Sequence, residues 1–285
     1  MADTLDIDRL KTWIGRQETR VDTITPQLLR AFRAMLDRDP GEPAADEAVP
    51  QALHWCLAPP TAPMGEIGPD GHPARGGFLP PVPLPRRMWA GGRLRVGDDL
   101  RVGDTVERLS TVKDVAMKAG RTGALCFVVI EHQVSTARGL AVVEEHDIVY
   151  RGLDAPPAGA PKRADPAQTP DASRTIDPSP VLLFRYSALT YNGHRIHYDR
   201  PYVTEVEGYP GLIVHGPLQA TLLLQAAAEL SAGARVSAFA FRATRPLFDL
   251  APFTVNGRRT GDRGADLWVA GPEGVVHMQA TAEWA

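Results

Sequence analysis

Two parts of the chain carry apolar residues at helical spacing. Thr25 and Pro26 favour the start of a helix, and the apolar positions behind them predict an amphipathic helix over residues 25–36. Residues 217–232 are apolar nearly all round, which predicts a second helix enclosed by other structure. A shorter helix is expected over residues 6–14. The apolar face of the first long helix consists of Leu28, Leu29, Phe32, Met35 and Leu36.

The segments that follow each long helix have the character of β-strands. They are rich in β-branched and aromatic residues, and Gly, Asp and Lys turns separate them. One further short strand is predicted over residues 180–186. A helix followed by an antiparallel sheet in each half indicates two similar α+β modules. The predicted strands cover residues 102–115, 124–134 and 141–150 in the first half, and 234–243, 253–259, 266–270 and 275–284 in the second.

Two proline-rich segments interrupt this pattern. Residues 56–92 hold nine prolines and many glycines, which predicts a long loop, and loops of that length in compact domains are usually functional. Residues 152–180 hold seven more prolines among Ala, Asp and Ser. We therefore expect a domain at residues 1–151, a linker at 152–179 and a second domain at 180–285.

Composition narrows the class of protein. The chain has 285 residues, 44% of them hydrophobic and 23% charged, with a net charge of −3. No basic stripe indicates nucleic acid, and no polybasic patch, signal peptide or membrane-spanning stretch indicates a membrane. Cys56 and Cys126 lie far apart without a partner motif, so we expect free thiols and a cytoplasmic protein.

The groups that carry proton chemistry concentrate between residues 184 and 218. Asn192, His194 and His197 lie within six residues. An isolated histidine is more often structural than catalytic, but its neighbours here favour catalysis at neutral pH. His194, His197, His215 and Asp199 also raise the possibility of a metal site. We expect no metal and no cofactor, because no cysteine is near and no metalloprotease pattern is present.

Two further motifs could bind a substrate. Gly216 and Pro217 open the second long helix, where exposed N–H groups and the helix dipole can stabilise an enolate oxygen, although a plain strand-to-helix junction would look the same. Arg86 and Arg87 could bind a carboxylate or phosphate, or form a solvated surface pair. Trp89 lies beside them and fits the core better than a stacking platform.

The stretch Ser187–Asp199, followed by Val214-His215-Gly216, resembles the hydratase motif of the MaoC-like, R-specific enoyl-CoA hydratases. That motif reads Ser-x-x-x-x-Asp-x-Asn-Pro-x-His-x-Asp and is followed by His-Gly. Tyr209–Leu218 and Arg86–Gly92 are similar to one branch, the mesaconyl-CoA and itaconyl-CoA hydratases and the mitochondrial-type 3-hydroxyacyl-thioester dehydratases. The resemblance covers nearly the whole chain. It implies an α+β double hotdog, in which a curved antiparallel sheet wraps each long helix.

The resemblance also implies roles for individual residues. His197 matches the family's catalytic histidine, and the N–H of Gly216 matches part of its oxyanion hole. The family's catalytic aspartate falls on Asn192, which cannot accept a proton and is expected to orient water or the substrate carbonyl. His194 becomes a candidate for the second proton-transfer group. The candidates for substrate contacts are Arg86, Arg87, Trp89, His215 and Tyr191.

The resemblance implies reversible hydration of a short branched dicarboxylyl enoyl-CoA, from itaconyl-CoA or mesaconyl-CoA to citramalyl-CoA. The alternatives are a fatty-acid-type 3-hydroxyacyl-thioester dehydratase, a non-catalytic acyl-CoA-binding protein, and a thioesterase, for which Glu229 lies too far along its helix. The N-terminal half lacks a His-x-Asp motif, so we expect one active site per chain. The partner is an acyl-CoA substrate, and the protein is expected to be a homodimer or a pseudo-dimeric monomer.

Overall fold

The computed structural model describes residues 6–120, 123–152 and 169–285. None of the helices in these ranges is long and apolar enough to span a membrane. The α-helices are α1 Ile7–Lys11, α2 Pro26–Met35, α3 Pro180–Thr190 and α4 Gly216–Leu230. The strands are β1 Gln17–Thr23, β2 Arg86–Val96, β3 Thr105–Gly120, β4 Gly123–Thr136, β5 Gly139–Arg151, β6 Ala172–Ile176, β7 Val236–Ala243, β8 Phe253–Arg259, β9 Gly264–Ala270 and β10 Val276–Trp284.

The ten strands form one antiparallel sheet in the order β1-β3-β4-β5-β2-β7-β10-β9-β8-β6. Strands from the N-terminal half occupy one side of it and strands from the C-terminal half the other. The halves meet where β2 pairs with β7, with Gly92 opposite Phe241. A Cβ at Gly91 would lie 2.6 Å from the carbonyl oxygen of Phe241, so this junction requires glycine. The fold is a double hotdog, as the sequence predicts.

Helix α4 is the enclosed helix of the C-terminal half. It packs against β7, β8, β9 and β10 and also touches β2. Leu218 and Leu223 are fully buried along it, in the same hydrophobic core as Leu29 and Phe32 of α2. Truncating a buried leucine to alanine typically costs about 2–5 kcal/mol, so this helix is strongly anchored. Its N-terminus is therefore a rigid platform.

Residues 180–186, which we predicted as a strand, are the first turns of helix α3. The hydroxyl of Ser179 accepts a hydrogen bond from the Leu182 N–H, and Pro180 occupies the first turn. Leu183, Tyr186 and Ser187 are buried at positions three and four apart, which is a helical face. A short apolar run does not distinguish a strand from a buried helix, and the capping residues decided the matter.

Other boundaries also differ from the prediction. Strand β6 lies inside the segment predicted as a linker, where it pairs with β8, and residues 153–168 of that segment lie outside the described residues. Strand β1 had no counterpart in the prediction. Strand β2 begins at Arg86, so the proline-rich loop ends earlier than expected. Helix α1 is shorter than predicted.

Both cysteines are buried free thiols, as predicted. Burial raises the pKa of Cys56 to about 12 and that of Cys126 to about 11. Both therefore stay protonated at neutral pH and act as small apolar core residues.

Candidate active site

One cavity of about 1080 Å³ is lined by residues from both halves of the chain. Its volume is at the upper end of the range for small-molecule sites, which is about 300–1,000 Å³. The predicted site residues on its wall are Arg86, Arg87, Trp89, Asn192, His194, His197 and Gly216. The structure thus brings the arginine segment of β2 together with the histidine segment that follows α3. His215 and Tyr191, also predicted as site residues, are not on this wall.

His197 is held in one tautomer. It is buried at the end of a short 3₁₀ turn, Arg195–His197, and its Nδ1 lies 2.7 Å from the carbonyl oxygen of Ile213. A carbonyl oxygen only accepts, so Nδ1 donates the hydrogen and Nε2 keeps its lone pair. Burial lowers the pKa of His197 to about 4, so the ring is neutral at pH 7. The side chain is therefore prepared to act as a base at Nε2.

His215 supports His197 from behind. Their rings stack with centroids 3.6 Å apart and an interplanar angle of 18°. His215 is fully buried, and its Nε2 lies 2.8 Å from the hydroxyl of Ser187 on α3. Our prediction that His215 contacts the substrate is therefore wrong for the described cavity. The complete burial of the His215 ring keeps its pKa well below the usual range.

Asn192 and His194 form the turn that precedes His197. The amide oxygen of Asn192 accepts a hydrogen bond of 3.0 Å from the backbone N–H of His194. The Nδ2 group of Asn192 is then the end that can donate to a substrate oxygen. The His194 ring is buried, with its centroid 5.5 Å from that of His197. Burial, then the neighbouring His72, lowers the pKa of His194, so this ring is neutral as well.

Gly216 is the first residue of α4, at the edge of the cavity. His215 precedes it as the N-cap, and its side chain makes no capping hydrogen bond. The first N–H groups of a helix have no acceptor within the helix, and the dipole makes this end positive. A Cβ at Gly216 would lie 3.6 Å from the carbonyl oxygen of Trp89, an ordinary contact. Packing therefore does not demand glycine here, and the missing side chain would let a ligand approach the backbone closely.

The two arginines differ in their surroundings. A guanidinium nitrogen of Arg86 donates to the backbone oxygen of Glu207 at 2.9 Å, and its Nε lies 3.4 Å from the Glu207 carboxylate. Its charge is therefore already paired. Arg87 lies on the cavity wall, and its positive charge helps to lower the pKa of His72 and of His194. Of the two, Arg87 is better placed to meet a substrate carboxylate.

Trp89 and Tyr191 have contrasting positions. Trp89 lies on the cavity wall, with its ring centroid 4.2 Å from that of His146 on β5 and 5.3 Å from that of Phe241 on β7, so it contacts both halves of the chain. Tyr191 caps α3 in a left-handed conformation and is 63% exposed. The structure places Tyr191 away from the cavity, which corrects its prediction as a substrate contact.

The sequence reasoning missed Asp70 and His72, which lie in the proline-rich loop and line the same cavity. The Asp70 carboxylate lies 3.2 Å from Nδ1 of His72 and accepts the His72 backbone N–H at 3.0 Å. The backbone of this loop docks on the turn at Asn192: the Arg195 N–H donates to the Asp70 carbonyl at 2.9 Å. An Asp-Gly-His run inside a loop already expected to be functional was the available signal.

Comparisons with known proteins identify the family of this chain. The family model of hydroxyacyl-thioester dehydratase type 2 matches residues 52–249. The chain is 47% identical to the mesaconyl-C(4)-CoA hydratase of Chloroflexus aurantiacus over 273 residues, which is 95% of this chain and 96% of that protein. The chain belongs to the hydroxyacyl-thioester dehydratase type 2 family. Membership makes it a hydro-lyase, as predicted, and removes the non-catalytic alternative.

Two further comparisons can be set beside this assignment. The mitochondrial hydroxyacyl-thioester dehydratase type 2 of Schizosaccharomyces pombe is 31% identical over 132 residues, 46% of this chain and 42% of that protein. A MaoC-like dehydratase from Phytophthora capsici superposes with a TM-score of 0.71 at 16% identity, covering 98% of this chain and 99% of that one. The second comparison supports the fold alone, which is that of the MaoC-like proteins.

The thioesterase alternative finds no support in the position of Glu229. Its carboxylate pairs with Arg38 at 2.7 Å and is more than half exposed. Glu229 comes thirteen positions after Gly216 in the same α-helix, which is about 20 Å along the helix axis. This carboxylate does not line the cavity.

A second polar cluster lies where the cavity enters the N-terminal half. Glu144 on β5 is buried and accepts hydrogen bonds from Trp55 at 2.8 Å and, at 3.0 Å, from His54. His132 and His146 lie beside it on the cavity wall. Two described groups, Asp70–His72–His194 and His132–Glu144–His146, each bring ligand atoms within 4.8 Å of one another. The expectation that no metal is bound therefore stays a prediction.

Proposed function

We propose that this protein reversibly hydrates a short branched dicarboxylyl enoyl-CoA, mesaconyl-CoA or itaconyl-CoA, to citramalyl-CoA. The observation that carries the proposal is the neutral His197, whose Nε2 lone pair is free beside the uncapped N-terminus of α4. The relative from Chloroflexus aurantiacus, named for mesaconyl-C(4)-CoA, supports the substrate class across nearly the whole chain.

The chemistry follows from these positions. His197 takes a proton from water at Nε2 as the water oxygen bonds to the β-carbon of the enoyl thioester. The π electrons move to the thioester oxygen, where the Gly216 N–H and the helix dipole stabilise the charge. The Nδ2 group of Asn192 is placed on the same wall to orient the carbonyl or the water. A positioned base and an oxyanion donor contribute on the order of 10²–10³-fold each.

Arg87 is our choice for the second carboxylate of the substrate. A guanidinium binds a carboxylate with two parallel hydrogen bonds, which also sets its orientation. Arg86 is engaged by Glu207, while Arg87 faces the cavity close to His72 and His194. The short distance between the thioester and the carboxylate of these substrates favours an arginine beside the histidines.

The test follows the absorbance of the conjugated enoyl thioester with mesaconyl-CoA and crotonyl-CoA. In parallel it follows the formation of citramalyl-CoA from itaconyl-CoA by chromatography, because the double bond of that substrate is not conjugated with the thioester. We expect fast loss with a dicarboxylyl substrate and slow loss with crotonyl-CoA. The variant His197→Ala should lose on the order of 10³-fold in kcat with an unchanged unfolding transition. Near-normal turnover in that variant, or no turnover of any of the three thioesters by the wild type, would contradict the proposal.

A fatty-acid-type 3-hydroxyacyl-thioester dehydratase is the second candidate. The size of the cavity favours it, because about 1080 Å³ exceeds what a short acyl group fills. Phe78, Leu79, Ile130 and Ile148 add an apolar lining in the N-terminal half. A clear preference for crotonyl-CoA in the same assay would favour this candidate over the dicarboxylyl one.

A further inference from the structure

Asn192 leaves the site short of one proton-transfer group, if the function proposed above is correct. Hydration moves one proton off water and puts one proton on the α-carbon, and an amide side chain does neither. Asp199 is engaged by Arg195 and the Tyr202 N–H, and Glu207 by Arg86 and the Tyr202 hydroxyl. A second proton-transfer group, separate from His197, would therefore have to come from elsewhere on the cavity wall.

The loop of the N-terminal half supplies a carboxylate and an imidazole at this place. Asp70 accepts from Nδ1–H of His72 at 3.2 Å, because an ionised carboxylate only accepts. The Nε2 atom of His72 then carries the lone pair. Holding an imidazole by a carboxylate fixes its tautomer and stabilises the imidazolium that forms when it takes a proton. Among the described residues near Asn192 and His194, His72 is the histidine whose Nδ1 is held by a carboxylate.

The two histidine groups are connected through His194. Its ring centroid lies 4.1 Å from that of His72 and 5.5 Å from that of His197. One ring nitrogen of His72, one ring nitrogen of His194 and a carboxylate oxygen of Asp70 all lie within 4.8 Å of one another. Three imidazoles thus form a row that ends on a carboxylate. Burial and the positive charges of Arg87 and Arg75 oppose a proton on His72 and lower its pKa, while Asp70 favours the proton.

We propose that Asp70 and His72 form a second proton-transfer pair, and that His194 relays protons between this pair and His197. All three histidines start neutral. His197 takes the proton from water as the C–O bond forms and the π electrons reach the thioester oxygen. That proton passes through His194 to His72, and the enolate electron pair then takes it from His72 to form the α-C–H bond. One water is consumed, and every histidine returns to its neutral form, with His194 left in its other tautomer until its ring resets before the next turnover.

The experiment uses Asp70→Asn and His72→Gln, with His277→Gln as the matched control. His277 is held through Nδ1 by the carbonyl of Pro246 at 2.8 Å, and its own side chain is not part of the cavity wall. We expect kcat to fall by on the order of 10²–10³-fold in both test variants with a small change in KM, and to stay at the wild-type value in the control. In the dehydration direction, the isotope effect of an α-deuterated substrate should rise, because C–H cleavage becomes slower.

A purely structural role would leave a different signature. It would raise KM without changing the isotope effect, and that result would overturn the proposal, as would full kcat in both variants. Asp70→Glu should recover part of the activity that Asp70→Asn loses. Inactive wild-type protein would instead refute the function proposed above, so the two failures are distinguishable.

A second measurement does not depend on how the Asp70 and His72 variants fold. The α-hydrogens of a saturated dicarboxylyl-CoA should exchange with deuterated water in the presence of the wild type. We expect His197→Ala to retain this exchange, because His72 removes the α-proton. Loss of exchange in His197→Ala to the uncatalysed rate would assign that step to His197 and overturn the pair.

Discussion

The chemistry of the site depends on how single side chains are held. The Ile213 carbonyl determines the tautomer of His197, and His215 determines the plane of its ring. The hydratase motif identified His197 as the base, and the geometry is consistent with that role. It also identified His215, but the role was different: this side chain positions the base and is separated from the cavity.

Removing the Ser187 hydroxyl should weaken this support. Nδ1 of His215 already lacks a hydrogen-bond partner, so Ser187→Ala would leave the whole buried ring unpaired. We expect a loss of about 1–3 kcal/mol in unfolding free energy, measured by urea titration, and a lower kcat. Ser237→Ala is the control. The Ser237 hydroxyl donates to the backbone oxygen of Glu283 at a more exposed position, so its removal should change stability little. Equal effects in both variants would contradict the argument.

At the scale of elements, the active site is the contact between a loop and a turn. Residues 68–73 lie against residues 192–195, and neither segment is part of a long helix or strand. The composition of the loop indicated a functional segment, as the structure supports. The sequence could not predict which segment this loop contacts, because the two segments are more than a hundred positions apart.

The contact depends on glycine at position 71. Its φ is +88°, and a Cβ there would lie 1.9 Å from the Gly193 carbonyl oxygen. Gly71→Ala should therefore push the loop off the turn, displace Asp70 and His72, and lower kcat by at least about tenfold. Gly65→Ala lies in the same loop, where a Cβ meets nothing within 4 Å, and should keep full activity. Activity and thermal unfolding of the two variants, compared side by side, check this expectation, which fails if Gly71→Ala is as active as Gly65→Ala.

At the scale of the whole molecule, one sheet joins two hotdog halves, and their shared cavity holds the histidines. The β2–β7 pairing brings Arg87 and Trp89 of one half to Gly216 of the other. One chain thus contains the pair of modules that the order of elements predicted. The single active site per chain stays a prediction; the cavity that would hold it is lined by residues of both halves.

Buried neutral histidines should make the stability of the whole molecule depend on pH. Burial lowers the pKa of His132, His194, His197 and His215 below the ordinary value of 6.5. As the pH falls below about 6.5, the unfolded chain takes up protons that the folded chain does not, so stability is lost towards pH 4. Each histidine contributes at most about 1.4 kcal/mol per pH unit.

Urea titrations between about pH 7.5 and about pH 5 measure this loss. The variant His197→Gln should show a shallower decline, by about the share of one histidine. A free energy of unfolding that stays constant over this pH range would show that these rings take up protons in the folded chain as readily as in the unfolded chain, which would contradict the prediction. The lowered pKa of Asp70 acts in a separate, more acidic range and does not affect the comparison.

The sequence by itself determined the features that depend on neighbours along the chain. Apolar periodicity predicted the buried helix α4 and most strands. The hydratase motif predicted His197 and Gly216 as site residues, a role that stays a prediction. Only the tertiary structure shows that His215 lies behind His197, that Glu207 pairs with Arg86, and that Asp70 and His72 line the site. Each of these depends on long-range contacts such as that between Arg195 and Pro69, 126 positions apart. Contacts between residues so far apart in the chain form only when the chain folds, so the local sequence pattern cannot predict them.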